Sequence, residues 1–272
     1  MPSSSFKSTI SITHIGTATA ILSIDGINFL TDPFFSPAGT EHDAGIAILK
    51  NTTSPALTLA QLPPIDAVLL SHEDHWDNLD TLGRQLLDGR RVLTTRDGAK
   101  NLAPRPGVVG LAPWQTLDLV VAGGGTRFRV TGIPCAHLPG GECTGFVLEC
   151  AAFGADDDDG KPNAVYFSGD TVYVEEAARG LRARWNVVVA LLNLGRARVP
   201  LPGGQGPLQV TMDGAQAARL CREVGVEVLV PMHFESWGHF TQFGGELREV
   251  FEEEGVAGQV CWLEPGVEKR VF

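Results

Sequence analysis

Short apolar runs separated by turn residues dominate the first part of the chain. Three of these runs read ISITHI, ATAILSI and INFLTD, and an Asp25-Gly26 pair separates the second from the third. Asp-Gly between two apolar runs is typical of a tight β-hairpin turn, so an antiparallel meander is predicted here. Residues 34–64 contain Pro, Gly, Thr and Ser without a clear period, which indicates a long surface loop of the kind that often borders a site.

Apolar strands and helical stretches alternate along the rest of the chain. The continuous apolar run DAVLL, at residues 66–70, predicts a buried strand that leads directly into the polar segment SHEDHWDNLD. Further strands are predicted at RVLTT, FRVTGIP, GFVLEC, AVYFSG, NVVVALL, EVLVP and QVCWL. Helices are predicted near residues 78–88, 213–224 and 244–254. The pattern favours an α/β fold with two mixed sheets flanked by helices.

Composition and charge narrow the class of protein. With 272 residues, 43% of them hydrophobic and 19% charged, the chain is expected to form one packed globular domain over residues 1–272. A net charge of -11 and a pI near 5.0 oppose binding to a phosphate backbone. We therefore expect a small-molecule substrate and no nucleic-acid partner, and a homodimer is compatible with the sequence.

The start of the chain and the cysteines indicate the cellular compartment of the protein. The opening MPSSSFKSTISI lacks an uninterrupted apolar segment, and no run of 18 apolar residues occurs, so no membrane association is expected. The five cysteines form no C-x-x-C pair and are odd in number, which favours reduced thiols and a cytoplasmic location. Cys135 and Cys143 bracket His137, yet a buried structural role is favoured for both over thiolate ligation.

Candidate metal ligands crowd together after the DAVLL strand. His72, His75 and Asp77 lie within six residues, and imidazole with carboxylate suits zinc or a similar first-row ion. The alternative is a polar loop that caps a helix beginning near Asn78 or Asp80, with hydrogen-bonded histidines.

Three later ligand-type residues favour the metal site, because each again ends an apolar strand. They are His137 after FRVTGIPCA, Asp170 after AVYFSG and His233 after EVLVPM. Loops that leave strand ends converge in one crevice, so four such segments in one chain predict a shared centre.

In this order the motifs resemble the metallo-β-lactamase superfamily. Its pattern is an H-x-H-x-D-H loop, a distant His, an Asp in a G-D-T turn and a final His, and the opening GTATAIL and the LTDP turn match as well. The chain is most similar to the stand-alone branch that includes ascorbate-lactone and N-acyl-phospholipid hydrolases. The resemblance implies a four-layer αββα sandwich of two mixed sheets flanked by helices, forming a single hydrolase domain.

One departure from the family pattern concerns the first loop, which reads H-x-x-H-x-D-N. His72 must then reach the metal through a bulge or give way to Asp74, and His72 is favoured. Asn78 replaces an imidazole, so the second metal position is richer in oxygen and is expected to bind zinc less tightly. One or two Zn²⁺ ions are expected, with Mn²⁺ or Fe²⁺ as open alternatives.

The mechanism implied by the resemblance is attack of a metal-bound hydroxide on a carbonyl. His72, His75 and His137 would hold the first ion, Asp170 would bridge, and Asp77 and His233 would serve the second. Asp77 is the expected catalytic residue, which orients the nucleophile and passes a proton to the leaving group.

Several nearby side chains are candidate substrate contacts, and Asp32 is expected to support the ligands from behind. The candidate contacts are Glu235, Trp237, His239, Asn78 and His14. Arg196 and Arg198 could meet an anionic group, although a solvated loop is favoured for both. The leading function is hydrolysis of a small lactam or lactone. Phosphodiester hydrolysis, a non-catalytic metal-binding scaffold and an iron dioxygenase are the alternatives.

Overall fold

The computed structural model describes residues 6–43, 48–121, 125–200 and 206–272. The first five residues, MPSSS, which entered the expectation of a cytoplasmic protein, lie outside this range. Within it, no helix is both long and apolar enough to cross a membrane.

Two mixed sheets form the centre of the fold. In spatial order the first contains β17 (Glu268–Arg270), β1 (Ile10–Gly16), β2 (Thr19–Ile24), β3 (Ile27–Thr31), β6 (Ala67–Leu69), β7 (Val92–Thr95) and β8 (Val108–Leu111). The second contains β16 (Val228–Met232), β13 (Asn186–Asn193), β12 (Asn163–Phe167), β11 (Thr144–Cys150), β10 (Thr126–Pro134) and β9 (Thr116–Val121). Two small ribbons pair β4 (Glu41–Asp43) with β5 (Ile48–Lys50) and β14 (Arg198–Val199) with β15 (Leu208–Gln209).

Helices cover the outer faces of both sheets. They are α1 (Thr81–Leu86), α2 (Arg96–Asn101), α3 (Glu175–Arg184), α4 (Gly214–Val224) and α5 (Gly244–Glu253). Among the described residues, short 3₁₀ turns lie at Leu59–Gln61, Ala151–Phe153 and Ala257–Gln259. The predicted helices near 78–88, 213–224 and 244–254 correspond to α1, α4 and α5, whereas α2 and α3 were not predicted.

The core is divided into layers by the two sheets. Apolar side chains from the facing sides of both sheets meet in one cluster, in which the rings of Phe29 and Phe128 pack edge to face at 5.0 Å. A second cluster joins the outer face of the second sheet to α3, α4 and α5 through Leu181, Leu220 and Leu247. A third cluster joins the first sheet to the α1 side. The predicted four-layer αββα sandwich is confirmed.

The opening meander is also confirmed. β1, β2 and β3 pair antiparallel, and both Asp25 and Gly26 have positive φ, at 50° and 83°. Two consecutive left-handed residues match the right-handed twist of a hairpin, which is why Asp-Gly marks this turn.

The strand predicted at QVCWL is wrong. The segment begins in the 3₁₀ turn and then makes a single bridge, from Val260 to Leu229 on the edge strand β16. Its apolar character serves packing instead, because the ring of Trp262 lies 5.8 Å from that of Phe234 and receives the guanidinium of Arg248 at 3.9 Å.

Strand direction determines where the site forms. β10 and β12 are both antiparallel to β11, and β12, β13 and β16 are mutually parallel, so all four strands run the same way. Their carboxyl ends therefore lie along one edge of the second sheet. β3, β6, β7 and β8 are likewise parallel in the first sheet.

A close backbone contact joins α1 to the turn that follows β3. A Cβ placed on Gly83 would lie 1.9 Å from the carbonyl oxygen of Pro33, so Gly83→Ala must push this helix away from the turn. We expect the free energy of unfolding to fall by about 1–3 kcal/mol, measured by urea denaturation. Gly245→Ala is the matched control, since nothing lies within 4 Å of its Cβ position, and it should stay within about 1 kcal/mol of the parent. Equal stability of the two variants would contradict the close contact.

Candidate metal centre

Three imidazoles meet at the edge formed by the strand ends. The ring centroids of His72, His75 and His137 lie 4.7 to 5.0 Å apart, and one ring nitrogen of each falls within 4.8 Å of the others. His72 follows β6 and His137 follows β10, as the sequence predicted. His72 and His137 are buried, which lowers the pKa of both rings and keeps them neutral.

Each outer ring nitrogen of this group contacts a hydrogen-bond acceptor. His75 Nε2 lies 2.8 Å from the carbonyl oxygen of Pro139, and His137 Nδ1 lies 2.7 Å from that of Val210. A carbonyl oxygen only accepts, so both nitrogens carry the proton and donate. When both rings carry only this outer proton, His75 Nδ1 and His137 Nε2 face each other as lone pairs, 2.9 Å apart.

His72 is oriented in the same way by a chain that ends on a carboxylate. The Ser71 hydroxyl donates to Asp32 Oδ2 at 2.7 Å, so its oxygen accepts from His72 Nδ1 at 2.8 Å. The backbone N–H of Ser71 also donates to Asp32 Oδ1 at 2.7 Å. His72 Nε2 is left buried with no hydrogen-bond partner in the described chain. The supporting role expected for Asp32 is consistent with these contacts, and burial raises its pKa to about 7.

A bulge explains how the longer H-x-x-H loop still brings His72 to the other two imidazoles. The extra residue points away from the site, where Glu73 accepts from Arg84 Nη2 at 2.9 Å and from Asn101 Nδ2 at 2.7 Å. Asp74 accepts from the backbone N–H of Gly141 at 2.7 Å. The structure thus places His72, rather than Asp74, with the other two histidines.

Asp77, Asp170 and His233 form a second group of buried ligand atoms beside the first. His233 Nδ1 lies 3.2 Å from Asp170 Oδ1, and His233 Nε2 lies 3.6 Å from Asp77 Oδ2. Burial opposes protonation of His233, but the two carboxylates outweigh it and raise its pKa to about 10. Burial acts against ionisation of both aspartates as well, yet the neighbouring histidines lower the pKa of each.

Two amides hold Asp170 in place. Asn193 Nδ2 donates to Asp170 Oδ1 at 2.7 Å, while Asn78 Nδ2 donates to Asp32 Oδ2 at 3.0 Å and to Asp170 Oδ1 at 3.4 Å. Asn193 was not predicted, although it ends β13 between the strands that carry Asp170 and His233. The sequence signal that could have identified Asn193 is its position as a polar residue directly after the apolar run NVVVALL.

Both ligand groups border a cavity of about 420 Å³. Apolar side chains at its wall include those of Leu49, Trp76, Leu138, Val199 and Val210. Trp76 and Leu138 are 37% and 59% exposed, so they present apolar surface at the mouth. Neither was predicted, although each is adjacent in sequence to a predicted ligand.

The predicted substrate contacts divide into two sets. His239 lines the cavity, with its Nε2 3.5 Å from Asp77 Oδ2, and Asn78 is fully buried beneath the ligands. Asn78 and the other three do not line the cavity. Glu235 is exposed, Trp237 is buried against Phe34, and His14 Nε2 contacts the backbone oxygen of Thr17 at 3.0 Å.

Cys143 lies behind His72 rather than among the inward-facing nitrogens. Its sulfur is 3.6 Å from His72 Nδ1 and donates to the backbone oxygen of Asp170 at 3.1 Å. Burial raises the pKa of this thiol, which disfavours the thiolate form that ligation requires. All five cysteines are free in the structure.

The donor set fits a metal ion. Lone pairs that face one another at 2.9 Å repel unless a cation or a proton lies between them, and the buried Nε2 of His72 has no partner among the residues that the structure describes. Three imidazoles suit Zn²⁺ and related first-row ions, and two carboxylates with one imidazole form a harder set.

Known proteins resemble the chain along most of its length. A family model described as the beta-lactamase superfamily domain matches residues 27–234. An uncharacterised protein of Mycobacterium tuberculosis is 27% identical over 86% of this chain, which spans 60% of that relative's length. A protein of Hyperthermus butylicus named a UPF0173 metal-dependent hydrolase is 26% identical over 93% of this chain and 95% of its own.

A solved structure confirms the fold. The isothiocyanate hydrolase from Delia radicum gut bacteria aligns with a TM-score of 0.74 at 22% identity, over 95% of this chain and 98% of its own. The family model covers well over half of the residues and includes all six predicted ligands. The chain therefore belongs to the beta-lactamase superfamily and has the metallo-β-lactamase fold.

Proposed function

We propose that this protein is a metal-dependent hydrolase that opens a small cyclic amide or ester, a lactam or a lactone. The observation that carries the proposal is the pair of adjoining ligand groups at the wall of a 420 Å³ cavity. A cavity of this size suits a small molecule and is too small for a folded macromolecule. Membership of the beta-lactamase superfamily supports hydrolysis, and the relative from Hyperthermus butylicus is named a metal-dependent hydrolase.

Two metal positions follow from the two groups. His72, His75 and His137 would hold the first ion, while Asp77 and His233 would hold a second, with Asp170 between them. Zn²⁺ is the proposed metal, and Mn²⁺ and Fe²⁺ are the alternatives for the oxygen-rich second position. Such an ion, when bound, polarises a carbonyl and brings the pKa of a water ligand to about 7.

Asp77 is the proposed general base and proton carrier. Its carboxylate borders the cavity and stays ionised, because His233 and His239 lower its pKa. A carboxylate at this place can accept a proton from an attacking water and deliver it to the leaving group.

The cavity walls indicate which substrates fit. Trp76, Leu138 and Val199 offer apolar surface to the body of the substrate. Among the described lining residues Arg198 is the only Lys or Arg, and its position at the rim suits an anionic substituent such as a carboxylate. Arg196 is committed elsewhere, since it donates to the side chain and backbone oxygens of Thr241 at 3.0 and 2.7 Å.

Turnover of a substrate panel tests the proposed reaction. Lactams, lactones, a linear ester, an aryl isothiocyanate and a bis-aryl phosphodiester would be assayed with Zn²⁺, Mn²⁺ or Fe²⁺. We expect metal-dependent opening of a lactam or lactone that a chelator abolishes and added metal restores. Phosphodiester turnover alone would replace the proposal with a phosphodiesterase, and no turnover of any substrate would favour a scaffold.

Asp77→Asn should lower kcat by about 10²–10⁴-fold, because the amide keeps the shape of the side chain but cannot accept the proton. Asp74→Asn is the matched control, a cavity carboxylate three residues away that caps the Gly141 backbone. It should keep at least a third of the parental kcat. Retained turnover in Asp77→Asn, with circular dichroism showing a folded protein, would rule out the assigned role.

Arg198→Ala should raise KM about tenfold for a substrate that carries a carboxylate and leave kcat nearly unchanged. A neutral lactone of the same size should show no change in KM. Arg196→Ala is the control and should leave the KM ratio of the two substrates as in the parent. If Arg198→Ala raises KM equally for both substrates, Arg198 does not bind the anionic group.

A further inference from the structure

We infer that His239 is a ligand of the second metal position, where it supplies the imidazole that Asn78 does not provide. This inference rests on the proposed metal centre and adds one residue to it. The second position would then be formed by Asp77, Asp170, His233 and His239.

Asn78 is committed to holding carboxylates. Its side-chain nitrogen donates to Asp32 and to Asp170, and the residue is fully buried beneath both. Carboxylate oxygens only accept, so Asn78 presents an N–H to Asp170, and its remaining potential ligand atom, Oδ1, is an oxygen and not an imidazole nitrogen. The described group at this position consequently contains a single imidazole, that of His233.

His239 stands next to that group. Its Nε2 lies 3.5 Å from Asp77 Oδ2, and His233 Nε2 lies 3.6 Å from the same oxygen. Ligand atoms of a tetrahedral ion with bonds of about 2.1 Å are roughly 3.4 Å apart, so both spacings match the edge of such a site. His233 and His239 thus each approach the same carboxylate oxygen of Asp77 at a ligand-to-ligand distance.

Among the described residues, the ring of His239 has one polar contact, to Asp77. Its Nδ1 is buried with no partner in the described chain, and its contact with Asp77 is made by Nε2. A structural histidine in a buried position normally satisfies both ring nitrogens. Within the described chain, the ring is therefore oriented toward Asp77 through Nε2 alone.

The backbone around His239 is fixed, which favours ligation over an adaptable substrate contact. Ser236 has a φ of 79°, and its carbonyl oxygen accepts from the backbone N–H of Thr52 at 2.8 Å. Trp237 is 1% exposed and anchors the turn in the core. The His239 ring also packs on Phe240 at 4.7 Å, so its approach to Asp77 is set by packing.

Metal stoichiometry tests the inference without relying on turnover. Wild type, His239→Ala, His239→Gln and His42→Ala, prepared free of metal, would be titrated with Zn²⁺ by equilibrium dialysis and elemental analysis. His42→Ala is the matched control, because this histidine stacks on Trp76 at 4.8 Å but belongs to neither ligand group.

We expect two ions in the wild type and in His42→Ala. Both His239 variants should keep one ion at parental Kd and bind the second at least about tenfold more weakly, with unchanged thermal unfolding of the metal-free protein. The double variant Asn78→His with His239→Ala, in which an imidazole is restored, should regain much of the affinity for the second ion that His239→Ala alone loses.

Two results would overturn the inference. The first is two ions at parental Kd in the His239 variants, which would make His239 a substrate contact if KM rises. The second is a single ion in the wild type, which leaves no second position to complete. In that case turnover with one ion would still support the proposed hydrolase, whereas absence of turnover with every metal and substrate would count against the proposed function itself.

Discussion

The arrangement of the site depends on one electrostatic constraint, the three imidazoles whose outer N–H groups are bound and whose inner nitrogens face one another. Ser71, Pro139 and Val210 accept the outer N–H groups of His72, His75 and His137, so the inner nitrogen is the lone-pair side of each ring in its neutral form. In a buried pocket such lone pairs repel one another, and the repulsion is relieved by a cation. The hydrogen-bond acceptors at the outer nitrogens therefore determine that the space between the inner nitrogens suits a cation.

In the second ligand group the constraint is the negative charge of two buried carboxylates, which a positive charge must offset. Two buried carboxylates next to each other would be unstable, and the proton on His233, whose pKa is raised to about 10, offsets them. A divalent cation at this position would take over the neutralising role of that proton. Asn193 and Asn78 add N–H donors to Asp170, so the carboxylate keeps its orientation in either condition.

Much of the fold and of the ligand set could be predicted from the sequence. Apolar runs that end in His or Asp identified the four strand ends, and the order of the motifs identified the family. Both were predictable because a strand and the ligand residue that follows it are encoded in a short stretch of sequence. Tertiary contacts were not predictable in this way. The Glu73 contact with Arg84 and Asn101, which lets His72 reach the other imidazoles, joins a loop to two helices, one of which was not predicted.

Residues outside the motifs were harder to assign for the same reason. Trp237 looked like a substrate contact because it is close in sequence to His233, but the chain turns at Ser236 and buries it in the core. Arg196 and Arg198 could not be separated by sequence, since only the structure shows Arg196 bound to Thr241 and Arg198 at the cavity. QVCWL had the composition of a strand but lies at a sheet edge, where packing around Trp262 determines its shape.

Anomalous diffraction at the zinc absorption edge, on crystals grown with Zn²⁺, tests the central claim most directly. The account predicts one peak within bonding distance of His72 Nε2, His75 Nδ1 and His137 Nε2, and a second peak between Asp77, Asp170 and His233. Absence of a peak among the three histidines would contradict the account.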